Sequence, residues 1–160
     1  MNGALNGLRR GVVEQLRDRG LNAVAAMEPD RAARWREPVV AVAFSRVSCA
    51  PGGFRDYLGL RDGRELYGRA VELTLALDIY APGDGGAGAC QDTLERMTEE
   101  LMCRGAAGLA ALDIQAGQAE FLEKLGLYRQ TVSCRCKAWL TAETDEGGSF
   151  VDFEVRGRSA

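Results

Sequence analysis

Eleven residues, Ala70 to Tyr80, constrain the fold of this chain more than any other segment. Val71, Leu73, Leu75, Leu77 and Ile79 take every second position, with Glu72, Thr74 and Asp78 between them. Successive side chains of a strand point to opposite faces, so a period of two dictates a strand with one dry face and one wet one. The stretch Leu127 to Ala142 repeats the pattern. Tyr128, Val132, Cys134, Cys136, Ala138 and Leu140 point one way, and Arg129, Thr131, Ser133, Arg135, Lys137 and Thr141 the other. Two long strands of this kind need a cover for their apolar sides.

The cover is supplied by two helical patterns. From Asn2 to Arg19, Leu5, Leu8, Val12, Val13 and Leu16 recur at helical spacing, and Gly20 is a suitable stop. From Ala89 to Arg104, Cys90, Leu94, Met97 and Leu101 make the inward stripe, with Glu95, Arg96, Glu99 and Glu100 outward. Shorter strands are expected at Leu21–Met27, Val39–Val47, Leu109–Glu120, where Leu112, Ile114 and Ala116 alternate with polar residues, and Phe150–Val155, with a short amphipathic stretch at Phe121–Leu125. Residues 51–69 hold glycines, Phe54, Tyr57 and scattered charge without a clean period and read as a loop with room for a short strand or turn in it. Gly83 to Gly88 reads as a flexible connection. The 160 residues suit one domain, an α+β fold with an antiparallel or mixed β-sheet and two amphipathic helices packed on one face. Residues 156–160 are expected to be disordered.

Composition narrows the chemistry. The chain has no histidine, which removes the commonest general base and metal ligand and excludes Ser-His-Asp and Cys-His arrangements. Five cysteines include the pair Cys134-Arg-Cys136, whose side chains share one strand face and suit packing better than a disulfide. Cys49, beside Pro51-Gly52-Gly53, is the one candidate nucleophile, with no histidine to activate it. The carboxylate pairs Glu99-Glu100 and Asp145-Glu146 read as solvated surface. Gly83-Asp84-Gly85-Gly86-Ala87-Gly88 lies between a strand and a helix, yet it lacks the lysine of a P-loop and matches a dinucleotide fingerprint only loosely. No enzyme activity, cofactor or metal is expected. A net charge of -3 gives no basic signature for nucleic acid. No apolar run approaches the ~20 residues that span a bilayer, and the amino terminus does not read as a signal peptide. A soluble chain in a reducing cytosol is the expectation.

The informative polar feature is the outer side of the late strand. Arg129, Arg135 and Lys137 project from one side, with Trp139 among them, while the outer side of the earlier strand carries Glu72 and Asp78. These five residues are the candidate interface. An acidic and a basic strand can pair within one sheet or between subunits of a ring, and the same basic face can simply solubilise the sheet.

The order of elements resembles a known family. An amphipathic helix and a valine-rich strand precede the long alternating strand that ends at Ala81-Pro82. A glycine-rich gap follows, then a helix over Gln91–Cys103 and the late strand Tyr128-Arg129-Gln130-Thr131-Val132-Ser133-Cys134-Arg135-Cys136. This layout is similar to that of the tail terminator (tail completion) proteins of bacteriophages and prophages. The resemblance implies a structural subunit that closes into a ring, commonly a hexamer. The ring caps the tail tube, ends its polymerisation and offers a head-joining surface, assembling in the cytoplasm of the host bacterium. Its partners are then itself, the tail tube and head-tail connector proteins, with no membrane and no specific nucleic acid. A different neck or connector subunit, and a small phosphate-ligand-binding regulatory domain, are the alternatives.

Overall fold

The computed structural model describes residues 4–49 and 56–157. Its organising element is β4, Arg64–Pro82, which contains the alternating segment. Along one edge β4 pairs antiparallel with β2 (Val39–Cys49) and, nearer its start, with β3 (Asp56–Arg61). Along the other it pairs antiparallel with β7 (Leu127–Gln130) and β8 (Val132–Thr144). Thr131 separates these two strands formally, but the register runs through it: Ile79 faces Gln130 and Ala76 faces Ser133. The sheet is widened by β1 (Asn22–Val24), parallel to β2, and on the far side by β5 (Ala110–Ala116), β6 (Glu120–Leu122) and β9 (Phe150–Arg156). The result is the expected α+β fold with a mixed sheet.

The odd-numbered face of β4 is the core. Leu73, Leu75, Leu77 and Ile79 are at most 1% exposed, and Val132, Cys134, Cys136 and Ala138 of β8 lie among them. Helix α1 (Ala4–Asp18) lays Val12, Val13 and Leu16 on this face, and α3 (Gly86–Arg104) lays Cys90, Met97 and Leu101. Each large aliphatic side chain so buried contributes about 1.5–3 kcal/mol before entropy is counted. A third, one-turn helix, α2 (Pro29–Ala32), lies on the opposite face and was not expected. There Ala32, Ala41, Tyr80 and Leu127 form a small second cluster, with the Trp35 ring 5.8 Å from that of Tyr80.

Several expectations are corrected. Residues 56–69 are not a loop but a hairpin, β3 and the first part of β4; residues 51–55 lie outside those described. Its turn is Asp62-Gly63, both with positive φ (51° and 79°), the geometry that matches the twist of paired strands. Gly83–Gly88 is not a free connector either. Gly85 N donates to Pro82 O, Gly83 N to Gly126 O, and α3 already starts at Gly86. Leu112 does not join the inward row of β5, because a bulge between Ala111 and Asp113 leaves it half exposed. Arg156 closes β9 instead of belonging to a disordered tail; residues 158–160 lie outside those described.

Glu100 is the clearest reversal: it faces inward and is 8% exposed. Its carboxylate accepts from Gln15 Nε2 at 2.9 Å and meets Arg19 Nε at 2.8 Å. Gln15 also donates to Gly105 O and accepts from Ala107 N, at 2.9 and 2.8 Å. One amide thus ties α1 to the end of α3 and to the turn after it. Gly105 has φ 71°, and a Cβ there would overlap the carbonyl oxygen of Leu109.

Gln15→Ala strands three polar groups at once and is expected to cost about 2–3 kcal/mol. Gly105→Ala is expected to cost about 3 kcal/mol, because a φ of 71° with ψ −171°, a region open essentially to glycine alone, and the Leu109 carbonyl both oppose a side chain. Urea denaturation checks both values; a loss below 0.5 kcal/mol for either (roughly the scatter of neutral surface changes) contradicts this account.

Candidate interaction surfaces

The even-numbered face of β4 is uncovered along its middle. Register places Lys137 opposite Glu72 and Arg135 opposite Thr74. Arg135 reaches diagonally to Glu72, Nη1 to Oε1 at 3.6 Å, with both side chains about half exposed (48% and 47%). An exposed pair of this kind is worth about 0–1 kcal/mol. Lys137 Nζ sits 5.7 Å from the centre of the Trp139 ring, a cation–π contact on the same face. Three of the five residues singled out by sequence therefore form one in-sheet cluster.

The other two form a separate group about 20 Å along the strand. Tyr80 faces Arg129 across β4 and β7, and Asp78 lies one residue before Tyr80. Burial raises the carboxyl pKa of Asp78, opposed by a hydrogen bond from the Val132 backbone and by the Arg129 charge. Asp78 Oδ1 and Arg129 Nε are each buried without a hydrogen-bond partner, although Arg129 Nη2 lies 3.7 Å from Glu120 Oε2. The acidic and basic strands thus pair within the sheet, one of the two arrangements the sequence allowed.

A second surface was missed. Beyond Val71 the odd-numbered face of β4 continues as Arg69, Tyr67 and Glu65, past the reach of the helices. Tyr57 of β3 stands opposite Tyr67, their ring centroids 5.5 Å apart, and Phe150 of β9 lies 5.7 Å beyond Tyr67 in edge geometry. Tyr57 is 56% exposed, Leu60 69% and Phe150 40%. The Tyr67 hydroxyl donates to Glu65 Oε2 at 2.9 Å, which raises the phenol pKa. On the reverse side of this arm Arg61 and Arg64 meet Glu143, Arg61 and Arg156 meet Glu154, and Leu58 lies over Gly68. The sequence did carry one signal for the arm. Asp-Gly between two short apolar stretches is a strong hairpin marker, and it stands at residues 62–63.

The remaining candidates are placed less favourably for chemistry. Among the described residues no group of three or more Cys, Asp or Glu side chains is arranged to hold a metal ion. In the glycine-rich turn the Asp84 carboxylate accepts from Gly85 N at 3.0 Å, putting negative charge where a phosphate would have to sit. Recesses of about 330 and 510 Å³ flank α1, the first among Arg19, Arg96 and Glu100, the second among Arg17, Arg34 and Trp35. Cys134 and Cys136 are fully buried with sulfurs 3.7 Å apart. Their shared contact and burial hold the Cys134 thiol protonated. Cys49 and Cys103 are exposed. No protein-family model and no curated protein matches the chain.

Two measurements test these placements. Asp78→Asn should raise the melting temperature at pH 7. A carboxyl whose pKa is raised by folding disfavours the native state once ionised, so the gain should shrink as pH falls through the carboxylate range. An unchanged or lowered melting temperature at pH 7 contradicts the burial argument. A thiol reagent should label Cys49 and Cys103 rapidly in the native protein, and the other three cysteines only after denaturation. Fast native labelling of Cys134 or Cys136 contradicts the packing.

Proposed function

We propose that this chain is a structural assembly subunit that acts by stoichiometric protein-protein contact. In its specific form it is a tail terminator of a bacteriophage or prophage particle, a ring-forming subunit that caps the tail tube and presents a head-joining surface. One observation supports this reading above the others: the sheet is larger than its cover. The middle of the even face and the β3–β4 hairpin lie outside the reach of the helices and leave open surface on the sheet. A surface of that shape suits neighbouring subunits better than a small ligand, which prefers an enclosed apolar cleft. The resemblance in element order supports the phage assignment, and through it the partners: further copies of the chain, the tail tube and connector proteins.

The order of the elements alone does not separate a terminator from another neck subunit; assembly behaviour does. Light scattering coupled to gel filtration over a concentration series should show a discrete species at a fixed multiple of 17.3 kDa, six copies for a hexameric ring. A mass of 17.3 kDa at every concentration, combined with thermal stabilisation by inorganic phosphate, would sink the proposal in favour of a ligand-binding domain.

A further inference from the structure

The first strand of the sheet has an open side. Among the described residues β1 pairs only with β2, which leaves its other side as a sheet edge. Such an edge is a template for a further strand unless something covers it. Here it borders a recess. The space of about 510 Å³ beside α1 runs along Asn22, Ala23 and Val24, with Arg17 and residues 34–37 as the rest of its lining. A space of about 260 Å³ prolongs it to Ala25 and Ala26 and shares Arg17, Val24 and Trp35 with the first. Together they follow the chain from residue 22 to residue 26, roughly 16 Å of extended backbone. Helix α1 packs on the core face of the sheet and α2 on the opposite one, so side chains flank this edge from both faces.

The flanking charge is unbalanced. Four arginines and two glutamates line the two spaces, an excess of two positive charges in a chain whose net charge is -3. Both glutamates are engaged: Glu28 meets Arg31 at 2.9 Å, and Glu37 accepts from Asn22 Nδ2 at 3.0 Å. Arg17, Arg34 and Arg36 are exposed, and among the described residues none of them has a carboxylate partner. Arg17 Nε donates to Ala23 O at 2.9 Å and Arg36 Nη1 to Trp35 O at 3.3 Å. Backbone carbonyls thus hold two of the guanidinium groups at the recess without neutralising them. Val24 and Trp35, each partly exposed, give the lining its apolar part.

We propose that this recess takes a short, extended acidic segment of a partner protein, which lies beside β1 as an added strand. Main-chain hydrogen bonds to the edge would set its register. Successive side chains of an extended segment point to opposite faces. Two adjacent carboxylates therefore meet Arg17 on one face and Arg34 or Arg36 on the other, and a neighbouring apolar side chain rests on Trp35. Guanidinium groups suit carboxylates because they can donate two parallel hydrogen bonds. A small anion could use the arginines but would leave the edge unpaired. This contact does not depend on the ring: it involves another surface and another chain.

The probe is a dye-labelled peptide of sequence Thr-Val-Asp-Glu-Val-Thr, added to the full chain up to millimolar concentration. Fluorescence anisotropy gives the affinity, and amide NMR spectra of the isotope-labelled chain give the place. Saturable binding that weakens as salt rises is expected, with shifts at the Asn22–Val24 amides and the Trp35 indole. Arg34→Glu and Arg36→Glu should each weaken it about tenfold or more. Arg46→Glu, an equal charge change at an exposed position roughly 20 Å along β2, should leave it unchanged. Circular dichroism melts show that each variant is folded. A peptide N-methylated at both acidic residues keeps its charges but loses hydrogen bonds to the edge, and should also bind about tenfold more weakly. Absence of saturable binding, equal binding of the N-methylated peptide, or shifts confined to other parts of the sheet overturns the proposal. Inorganic pyrophosphate that binds as tightly and shifts the same amides makes the recess a small-anion site and also overturns it. A wild-type oligomer that Arg34→Glu dissociates overturns it as well, because the occupant is then a second copy. A monomeric wild type that binds the peptide supports the acidic partner while removing the ring. A ring that binds no peptide does the reverse.

Discussion

A strand advances about 3.3 Å per residue and a helix about 1.5 Å, and this difference sets the form of the molecule. The 19 residues of β4 extend about 60 Å, while the 15 residues of α1 and the 19 of α3 extend only about 22 and 28 Å. The helices cover β4 from Val71 to Ala81, where the odd-numbered side chains are buried. Before Val71 the same face runs on without them. The core and the exposed aromatic arm are therefore two halves of one surface, divided at the point where helical cover ends.

What keeps the covered half rigid is a small polar junction. Gln15 satisfies a carbonyl, a backbone N–H and a carboxylate at the meeting point of α1, α3 and the turn into β5. Glu100 can be buried there because Arg19 and Gln15 are both within hydrogen-bond reach, with Arg104 3.9 Å away. A buried charge without such partners would be strongly unfavourable. The arm is held differently, by two cross-strand aromatic contacts on one side and by Arg61, Arg64 and Arg156 with Glu143 and Glu154 on the other. Its hairpin thus stays attached to β8 and β9 without a helix beneath it.

The open middle of the sheet has a different character. Glu72 offsets the charge of Arg135, and Lys137 beside them leaves the patch with one positive charge in excess. On the aromatic arm Tyr57, Leu60 and Phe150 remain in part exposed. Of the two surfaces, the arm has more free energy to gain from being covered.

Alternation at Val71–Ile79 and Val132–Leu140, and the helical stripes at Leu5–Leu16 and Cys90–Leu101, determined the fold class, the buried faces and the unbroken register past Thr131. These patterns are local: the pleat and the helical turn alone fix which side chains share a face. The hairpin at 56–69 was encoded as well, in Asp62-Gly63, but Gly59, Gly63 and Gly68 interrupt the hydrophobic pattern and concealed it. Other features were decided only by tertiary structure. Glu100 lies on the flank of its helix's apolar stripe, three residues after Met97, and only the fold brings it Gln15, 85 residues away in sequence, as the amide partner of its buried carboxylate. Glu72 and Arg135 belong to strands whose pairing register had to be fixed before they could meet. Tyr57, Tyr67 and Phe150 become one surface only when three strands align them. Such contacts depend on the positions of residues far apart in the chain, and no local period carries that information.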